Sequence, residues 1–584
     1  MSSALERTVK ILGTLFPSIP LDSLDSLSQE QLVALISSTT KFEDREAVLA
    51  EDNDDSFKCL ELSPETYFSW DESMRSQDST QRISDDVNGL SLTLDSKSSF
   101  LGISSISTIL RAMAHIVPDF RNSIKKYQAS VVEDKTGKCP KQTIIQYDEA
   151  YFINAYFAHI HCVTPIVDEE EFRSKYARGG DKQSPWLALL NMVLAIGSIS
   201  TSEPDETSHK TFYEKAYQNL GLDSMGNGHL ETIQALGLLG GYYCHYLNQP
   251  NMANVIMGAA LRMAVAMGLH REPVYRVTEP SGLNIFVLHE IRRRVWWCLF
   301  CLDTWASLTL GRPSLGRWDK TTTTANLPSS SDFAGNSLRS SVEFCKIATA
   351  LQDRLARHPL MSCKEIMEFD GHVVKWQSNL PPILQSSHPC RSDLRMARGL
   401  INARYQNLRL VLYRPRLLTT TVHRASFHSD LSSEEQAVVQ RCRSIASEII
   451  SSVQKDWFSV QQVVRNSIWF MFNACMVPLL SLLSDPSHKD AEIWRMDVET
   501  SLSLCEELSS WSPVIERSRE AIYAIYEVSN NSKAVGPPSG LESDSSFFWG
   551  SLDADTFWND IGLESLLGSS NFEFEPSIFS KTNY

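Results

Sequence analysis

Residues 289–317 read HEIRRRVWWCLFCLDTWASLTLGRPSLGR, and this stretch decides the fold of the chain. Over Val295–Leu310, apolar residues lie on every side of a helical projection and Asp303 carries the one charge. A helix that is apolar all round is enclosed by other helices. Gly311 supplies a left-handed cap, and Pro313 cannot continue the helix. The stretch therefore predicts a core helix that ends just before this glycine.

The carboxylate of Asp303 needs a partner on so apolar a helix. A buried charge is stabilised by an ion pair or hydrogen bonds, or the group is protonated. We expect an ion pair with Arg312 or with an arginine of the run 292–294. This pairing is favoured over catalysis, because neither a nucleophile nor a second acid accompanies Asp303.

Composition limits the functions that the chain can have. The 584 residues exceed the usual size of a single core, and 42% of them are apolar. A formal net charge of −16 argues against a chain that coats nucleic acid by itself. The N-terminus carries no secretory signal pattern, and no run of 18 apolar residues occurs. We expect a soluble intracellular protein with no membrane segment.

The cysteine pattern bears on metal binding. Of the twelve cysteines, Cys298 and Cys301 alone have CxxC spacing, and both lie inside the predicted core helix. A zinc binuclear cluster needs six thiolates on a short segment, in closely spaced pairs. We therefore interpret the cysteines as small buried apolar residues rather than as metal ligands or redox groups, and expect no cofactor in this chain.

The segment RRRVWWCLFCLDTWASLTLGRP (292–313) resembles the signature of the fungal transcription factor regulatory domain. The resemblance extends to residues 145–172, 232–270, 408–417 and 469–486. That domain belongs to the fungal zinc binuclear cluster regulators, including the galactose/lactose and xylanolytic activators. The signature positions are Arg294, Trp296, Trp297, Asp303, Gly311, Arg312 and Pro313.

The resemblance implies a nuclear regulator of metabolic genes, controlled through a small-molecule inducer or a repressor protein. Members of this family bind DNA through an N-terminal zinc cluster, and this sequence lacks its cysteines. We expect that DNA binding comes from a zinc cluster missing from this N-terminus or from a partner protein. Zinc is implied only in the first case.

Helical periodicity dominates residues 142–530, which predicts an irregular all-α domain of packed helix pairs. Residues 313–337 and 415–432 are expected to be its longer loops. The predicted helices cover Tyr147–Cys162, Trp186–Ile199, Thr207–Leu220, Leu230–Tyr246, Asn254–Met267, Leu288–Leu310, Ser341–Arg357, Ile366–Ser378, Asp393–Leu412, Ser433–Val453, Val460–Leu483 and Ala491–Leu508.

Two segments precede this domain. Residues 1–50 contain a short helical pattern that is either a remnant of the family's dimerisation helix or an ordinary surface helix. Residues 51–141 form an acidic, Ser-rich linker with twelve Asp or Glu against four Lys or Arg over positions 51–100. Positions 68–78 and 85–105 of this linker resemble a family segment that docks on the folded domain. We therefore expect part of the linker to be ordered.

Residues 531–584 differ sharply in composition from the domain. Positions 536–584 hold eight acidic residues, one Lys and nine aromatic residues. Acids keep such a segment extended, and exposed aromatics can anchor it in a shallow groove of a coactivator or of the transcription machinery. We predict an activation domain anchored by Phe547, Trp549, Phe557 and Trp558. The alternative is a tail that folds back on the core.

Sequence motifs for catalysis are scarce. The chain has no phosphate-binding GxxxxGK[ST] loop, no dinucleotide-binding GxGxxG after a strand and no GxSxG nucleophile turn. A fungal transcriptional regulator is therefore the leading interpretation, and we expect no enzyme. The alternative is an α-helical enzyme or metabolite-binding scaffold, which would need a cavity with converging titratable groups.

Overall fold

The computed structural model describes residues 99–117, 120, 148–201, 208–247, 249–273, 285–385, 392–426, 431–456, 461–511 and 513–531. All of these residues belong to one compact unit. They contain helices and loops but no β-strand beyond an isolated bridge at Leu101. The all-α prediction is confirmed. The predicted N-terminal helix and the acidic tail lie outside the described residues.

The first half of the fold runs from the linker to the long apolar helix. Its elements are α1 (Ser107–Ile116), α2 (Glu149–His159), α3 (Glu169–Ala177), α4 (Ser184–Ser198), α5 (Ser208–Gln218), α6 (Leu222–Gly226), α7 (Leu230–Leu238), a π-helical turn (Leu239–Tyr243), α8 (Cys244–Tyr246), α9 (Pro250–Ala266) and α10 (Ile285–Leu310).

The second half consists of longer helices. Its elements are α11 (Phe333–Arg357), α12 (Cys363–Ser378), a 3-10 turn (Pro382–Leu384), α13 (Ser392–Ser426), α14 (Ser433–Asp456), α15 (Gln461–Ser484), α16 (Ala491–Leu508), a 3-10 turn (Ser509–Trp511) and α17 (Pro513–Asn531).

The buried apolar side chains form two large cores. The first core gathers α2 to α9 with the middle of α10, and the second gathers α1 with α13 to α17. Two helices contribute to both: α10 places Leu299 in the first core and Leu308 in the second, and α11 does the same with Val342 and Leu355. The long apolar helix is therefore the element that joins the two halves.

Two of the expected loops are shorter than predicted. Helix α11 begins at Phe333, because the side chain of Asp332 accepts a hydrogen bond from the Gly335 N–H at 2.7 Å and caps the helix. Helix α13 continues through Pro415 to Ser426. A proline inside a helix costs about 3 kcal/mol or more. Here the complete burial of Leu417 and Leu418 after the proline outweighs that cost.

The prediction of one helix over Leu230–Tyr246 was wrong in one respect. A π-helical turn at Leu239–Tyr243 interrupts it and offsets the side chains that follow. Its glycines allow close packing, since a Cβ on Gly241 would lie 2.7 Å from Leu302 Cδ1 of α10. Single π-turns inside α-helices occur frequently at functional sites.

One helix in the described part of the chain is long and apolar enough to cross a membrane. It is the Asn466–Ser484 part of α15, and 83% of it is buried inside the protein. Its side chains, such as Met471 and Cys475, belong to the second core. Packing of this kind is that of a core helix.

The predicted burial of the CxxC cysteines is confirmed. Cys298 and Cys301 are 1% and 5% exposed, and burial raises the pKa of the Cys298 thiol well above its usual value. A thiol with a raised pKa stays protonated, whereas metal binding requires the thiolate. Within the described ranges no group of three or more His, Cys, Asp or Glu residues is placed to hold a metal ion.

A candidate ligand cavity beside the signature helix

The arginines at the start of α10 tie this helix to its neighbours. Arg294 donates to Glu290 and Asp332 at 2.9 Å each, and Asp332 is the residue that caps α11. Burial opposes the charge of Arg294, but these two acids raise its pKa overall. Arg292 donates to the carbonyl oxygens of Met267 and Gly268 at the end of α9. These side chains therefore position helices rather than form a reactive site.

The three tryptophans of α10 differ in their surroundings. Trp296 and Trp297 are 1% and 3% exposed, and the indole of Trp297 donates to the Asn326 carbonyl at 2.8 Å. Trp305 is only half-buried. It packs against both cores, and one side of its ring faces the cavity described below.

The predicted ion pair of Asp303 was wrong. Its Oδ2 accepts hydrogen bonds from Ser314 Oγ, Leu315 N and Gly316 N at 2.7, 2.7 and 2.8 Å. The left-handed Gly311, with φ of 68°, turns the chain so that the following loop lies back on α10. Burial raises the pKa of Asp303, and the three hydrogen bonds limit the rise.

Removal of the Asp303 carboxylate tests this loop. Asp303→Ala leaves the buried Gly316 N–H and the part-buried Leu315 N–H without an acceptor, so we expect a loss of about 2–3 kcal/mol in the free energy of unfolding. Asp303→Asn keeps one oxygen acceptor and should cost much less. Urea denaturation of both variants measures the difference. Equal losses would contradict the hydrogen-bond assignment.

The pH dependence of stability should also differ between wild type and Asp303→Asn, and the sign of the difference can be predicted. The folded-state pKa of Asp303 lies above the unfolded value of about 3.9, so folding favours the protonated form. This contribution to stability is complete below about pH 4 and is lost as the pH rises through the folded-state pKa. Wild type should therefore lose stability relative to Asp303→Asn as the pH rises above about 4.

Arg312 holds the N-terminal strap, which we define as residues 99–106, against the domain. Its Nε donates to the Phe100 carbonyl at 3.0 Å, and its Nη2 donates to Ser99 Oγ and Asn251 Oδ1 at 2.9 and 2.6 Å. The strap N–H of Gly102 donates to the Leu310 carbonyl at 2.9 Å. Pro313 is exposed and ends the helix. The signature residues Gly311, Arg312 and Pro313 thus shape this attachment.

A cavity of about 170 Å³ lies where the two cores meet. We call it the seam cavity. Its lining comes from the π-turn and α8, from α10, and from α13, α15 and α17. The lining residues are Gly241, Tyr242, His245, Tyr246, Leu302, Trp305, Ala306, Leu308, Thr309, Leu400, Arg404, Asn407, Asn466, Ile468, Trp469, Phe470, Phe472 and Ser518. The apolar lining with a few polar groups is typical of small-molecule sites.

Arg404 is the one residue with a permanent charge among these lining residues. Its guanidinium carbon lies 4.4 Å from the centre of the Trp305 ring, a cation–π contact. Burial lowers the pKa of Arg404, and the described groups that act on it are Tyr242, Cys345 and Cys301. No Asp, Glu or Cys is among the described residues of the lining. The cavity is therefore a positively charged site with aromatic walls.

Tyr242 of the lining is not poised as a nucleophile or as a general base. Burial raises the pKa of Tyr242 to about 12, although the charge of Arg404 opposes the rise, and its hydroxyl is hydrogen-bonded to Thr164. A tyrosine with this pKa stays protonated near neutral pH. This arrangement suits binding better than acid–base chemistry.

The sequence prediction named the right helix but not the cavity. Leu302, Trp305, Ala306, Leu308 and Thr309 of α10 line it, whereas the signature residues lie around it. Arg404 was missed, although its position on a helix that also carries Leu400 and Leu408 was a signal of a buried charge. The predicted anchors Phe547, Trp549, Phe557 and Trp558 lie outside the described residues.

Comparison with known families identifies the part of the chain that holds α10. Residues 153–366, from α2 to the first turn of α12, match the model of the fungal specific transcription factor domain. This segment is therefore similar to a fungal transcription factor domain. The signature helix lies inside the matched segment of the domain, and Arg404 lies beyond it.

Proteins similar to this chain include regulatory proteins. The lactose regulatory protein LAC9 of Kluyveromyces lactis is 33% identical over 171 residues, which are 28% of this chain and 18% of the relative. The acetamidase regulatory protein of Emericella nidulans is 25% identical over 379 residues, 62% of this chain and 44% of the relative. Transcription factor FBD3 of Gibberella moniliformis is 27% identical over 339 residues, 52% of this chain and 44% of the relative.

The chain therefore spans less than half the length of each of these three relatives. No solved structure matches it.

Proposed function

We propose that this chain is a nuclear regulator of RNA polymerase II transcription that controls a metabolic gene set. The observation that carries the proposal is the match of residues 153–366 to the fungal specific transcription factor domain. The printed names of the relatives, a lactose and an acetamidase regulatory protein, support metabolic control. On this proposal the chain is not an enzyme.

The proposal assigns a role to each part of the chain. Residues 142–530 form the regulatory domain, whose seam cavity takes a small-molecule inducer. Residues 531–584 recruit a coactivator or the transcription machinery, and residues 1–50 support a homodimer. DNA is reached through a zinc cluster at the N-terminal side or through a partner protein. Zinc belongs to that cluster, and no other cofactor is proposed.

The tail of the chain provides the test. Fused to an unrelated DNA-binding domain, residues 536–584 should activate a reporter gene, because their acids keep the aromatic anchors solvated and available. The triple change of Trp549, Phe557 and Trp558 to Ala should reduce activation at least tenfold, since aromatic anchors supply most contact energy. Reporter transcription is measured, with nuclear expression of each fusion checked by immunoblot.

The matched control changes three tail acids, Asp553, Asp555 and Asp560, to Asn. This variant keeps every aromatic anchor and should lose less activity than the aromatic variant. An expressed nuclear fusion without activity would contradict the assignment of the tail. Full activity of the aromatic variant would contradict the anchor mechanism.

A further inference from the structure

We propose that the seam cavity binds a small organic carboxylate, whose carboxylate group pairs with Arg404. This proposal deepens the proposed function, because it names the chemical class of the inducer. The biological meaning of the site rests on that proposed function. The binding itself is a physical property of the cavity. It can be measured without any reference to transcription.

The first argument is the contrast between Arg404 and the other arginines of α13. Arg409 pairs with Asp370 through two hydrogen bonds of 2.5 and 2.7 Å. Arg414, which is 1% exposed, donates to Asn473 Oδ1 at 3.0 Å and to the Ser104 carbonyl. Arg398 and Arg416 donate to backbone carbonyl oxygens at 2.7 and 3.1 Å. Each of these side chains has its partner within the fold.

Arg404 has no such partner among the described residues. Its one described contact is the ring of Trp305, which fixes the guanidinium plane but accepts no conventional hydrogen bond. An arginine keeps its charge throughout the physiological pH range, so burial cannot remove it by deprotonation. Arg404 lines the cavity and its N–H donors have no described acceptor, so an anion would satisfy both the charge and the donors.

A second donor lies on the same face of α13. Asn407 follows Arg404 by three positions, a spacing that places two side chains on one face of a helix. Its Oδ1 accepts a hydrogen bond from Asn473 Nδ2 at 2.6 Å. This leaves the amide N–H groups of Asn407 to donate beside Arg404. Both residues line the cavity.

The number of charges favours a carboxylate over a phosphate. One guanidinium balances one negative charge, and its planar fork matches the two oxygens of a carboxylate. Among its described residues the lining contains no Lys and no second Arg, and His245 is its other basic side chain. With His245 neutral, a dianion would keep an unbalanced charge in an apolar site. A monoanion leaves the occupied cavity neutral.

The remaining lining sets the size and character of the ligand. Aromatic and aliphatic side chains, including Tyr246, Leu302, Trp469 and Phe472, surround the space next to Arg404. An apolar cavity of about 150 Å³ holds one benzene molecule. The 170 Å³ of the seam cavity thus fits a single ring or a short alkyl chain that carries the carboxylate.

The experiment measures binding of three carboxylates to the purified full-length chain. Benzoate, phenylacetate and hexanoate are each titrated by calorimetry beside the matching neutral amide, benzamide, phenylacetamide or hexanamide. At least one carboxylate should bind at least tenfold more tightly than its amide and should raise the melting temperature. If no carboxylate binds better than its amide at millimolar concentration, the proposal is wrong.

Variants of Arg404 assign the binding to this site. Arg404→Met keeps the alkyl stem and removes the charge, so carboxylate affinity should fall at least tenfold while amide affinity changes little. Arg404→Lys keeps the charge without the planar fork and should bind with intermediate affinity. The matched control is Arg395→Met, an exposed arginine of the same helix, which should bind like wild type.

Two further outcomes would overturn the proposal. Unchanged carboxylate affinity in folded Arg404→Met would show that Arg404 is not the anion site. Tighter binding of phenyl phosphate than of every carboxylate would assign the cavity to phosphoryl anions instead. Because these titrations use purified protein, an inactive tail in the reporter assay would reject the proposed function but not the carboxylate site.

Discussion

Trp297→Ala should lower the free energy of unfolding by about 3–5 kcal/mol, the range found for truncation of large buried aromatic side chains. The indole is 3% exposed, and its ring centroid lies 5.7 Å from that of Phe300 in an edge-to-face contact. The substitution also leaves the Asn326 carbonyl without its 2.8 Å donor. Urea denaturation followed by circular dichroism measures the loss.

Two control variants separate these effects. Trp297→Phe keeps an aromatic ring and loses the indole N–H, so it should cost less than the alanine variant. Trp318→Ala removes a tryptophan that is 37% exposed on the loop after α10 and should cost less than about 1 kcal/mol. A soluble Trp297→Ala protein as stable as Trp318→Ala would contradict the enclosed position of α10.

Asp370→Ala should destabilise the protein by about 3–5 kcal/mol, because it leaves a buried guanidinium without its counter-charge. The side chains of Arg409 and Asp370 are 6% and 11% exposed. Asp370 Oδ2 also accepts a hydrogen bond from the Tyr413 hydroxyl at 3.0 Å. Burial opposes the charge of Arg409, but Asp370 raises the pKa of Arg409 overall.

The control for this pair is an exposed ion pair of similar length. Arg441 donates to Glu448 at 2.9 Å, and the two side chains are 38% and 44% exposed. Exposed pairs contribute about 0–1 kcal/mol, so Glu448→Ala should change stability little. If the two alanine variants lose the same free energy, Asp370 and Arg409 do not form a buried pair in solution.

The features that could be predicted from sequence depend on local patterns. The apolar run of α10 predicted a buried helix, and the structure ends that helix at Leu310 where the sequence places Gly311 and Pro313. Helix α16 has the predicted bounds, Ala491–Leu508. In each case the information lies within a few turns of the helix itself. The periodicity of buried positions and the capping residues are enough.

The partner of Asp303 could not be predicted in the same way. Its acceptor groups are satisfied by two backbone N–H groups and a hydroxyl that lie 11 to 13 positions later in the chain. Every residue except proline offers a backbone N–H, so the identities of Leu315 and Gly316 do not reveal that their N–H groups donate to Asp303. The prediction weighed the charged side chains alone and chose Arg312 or an arginine of the run 292–294. Arg312 instead donates to the N-terminal strap.

The seam cavity depends on still more distant parts of the chain. Arginines recur along α13, and the sequence does not distinguish Arg404 from Arg409 or Arg414. The structure does, because Asp370 lies 39 positions before Arg409 and the Ser104 carbonyl lies 310 positions before Arg414. Which arginine keeps open donors is thus decided by tertiary packing, which a single sequence does not show.

The attachment of the strap also has a consequence for the order in which the protein is assembled. Residues 99–106 leave the ribosome early, but Ser104 meets Arg414 only after 310 further positions have been made. At about 5–20 residues per second, that interval lasts about 15–60 s. During this interval the strap lacks its partner Arg414, because the second core is not yet complete. The contact of Ser104 with Arg414 therefore forms late in synthesis, once α13 has left the ribosome.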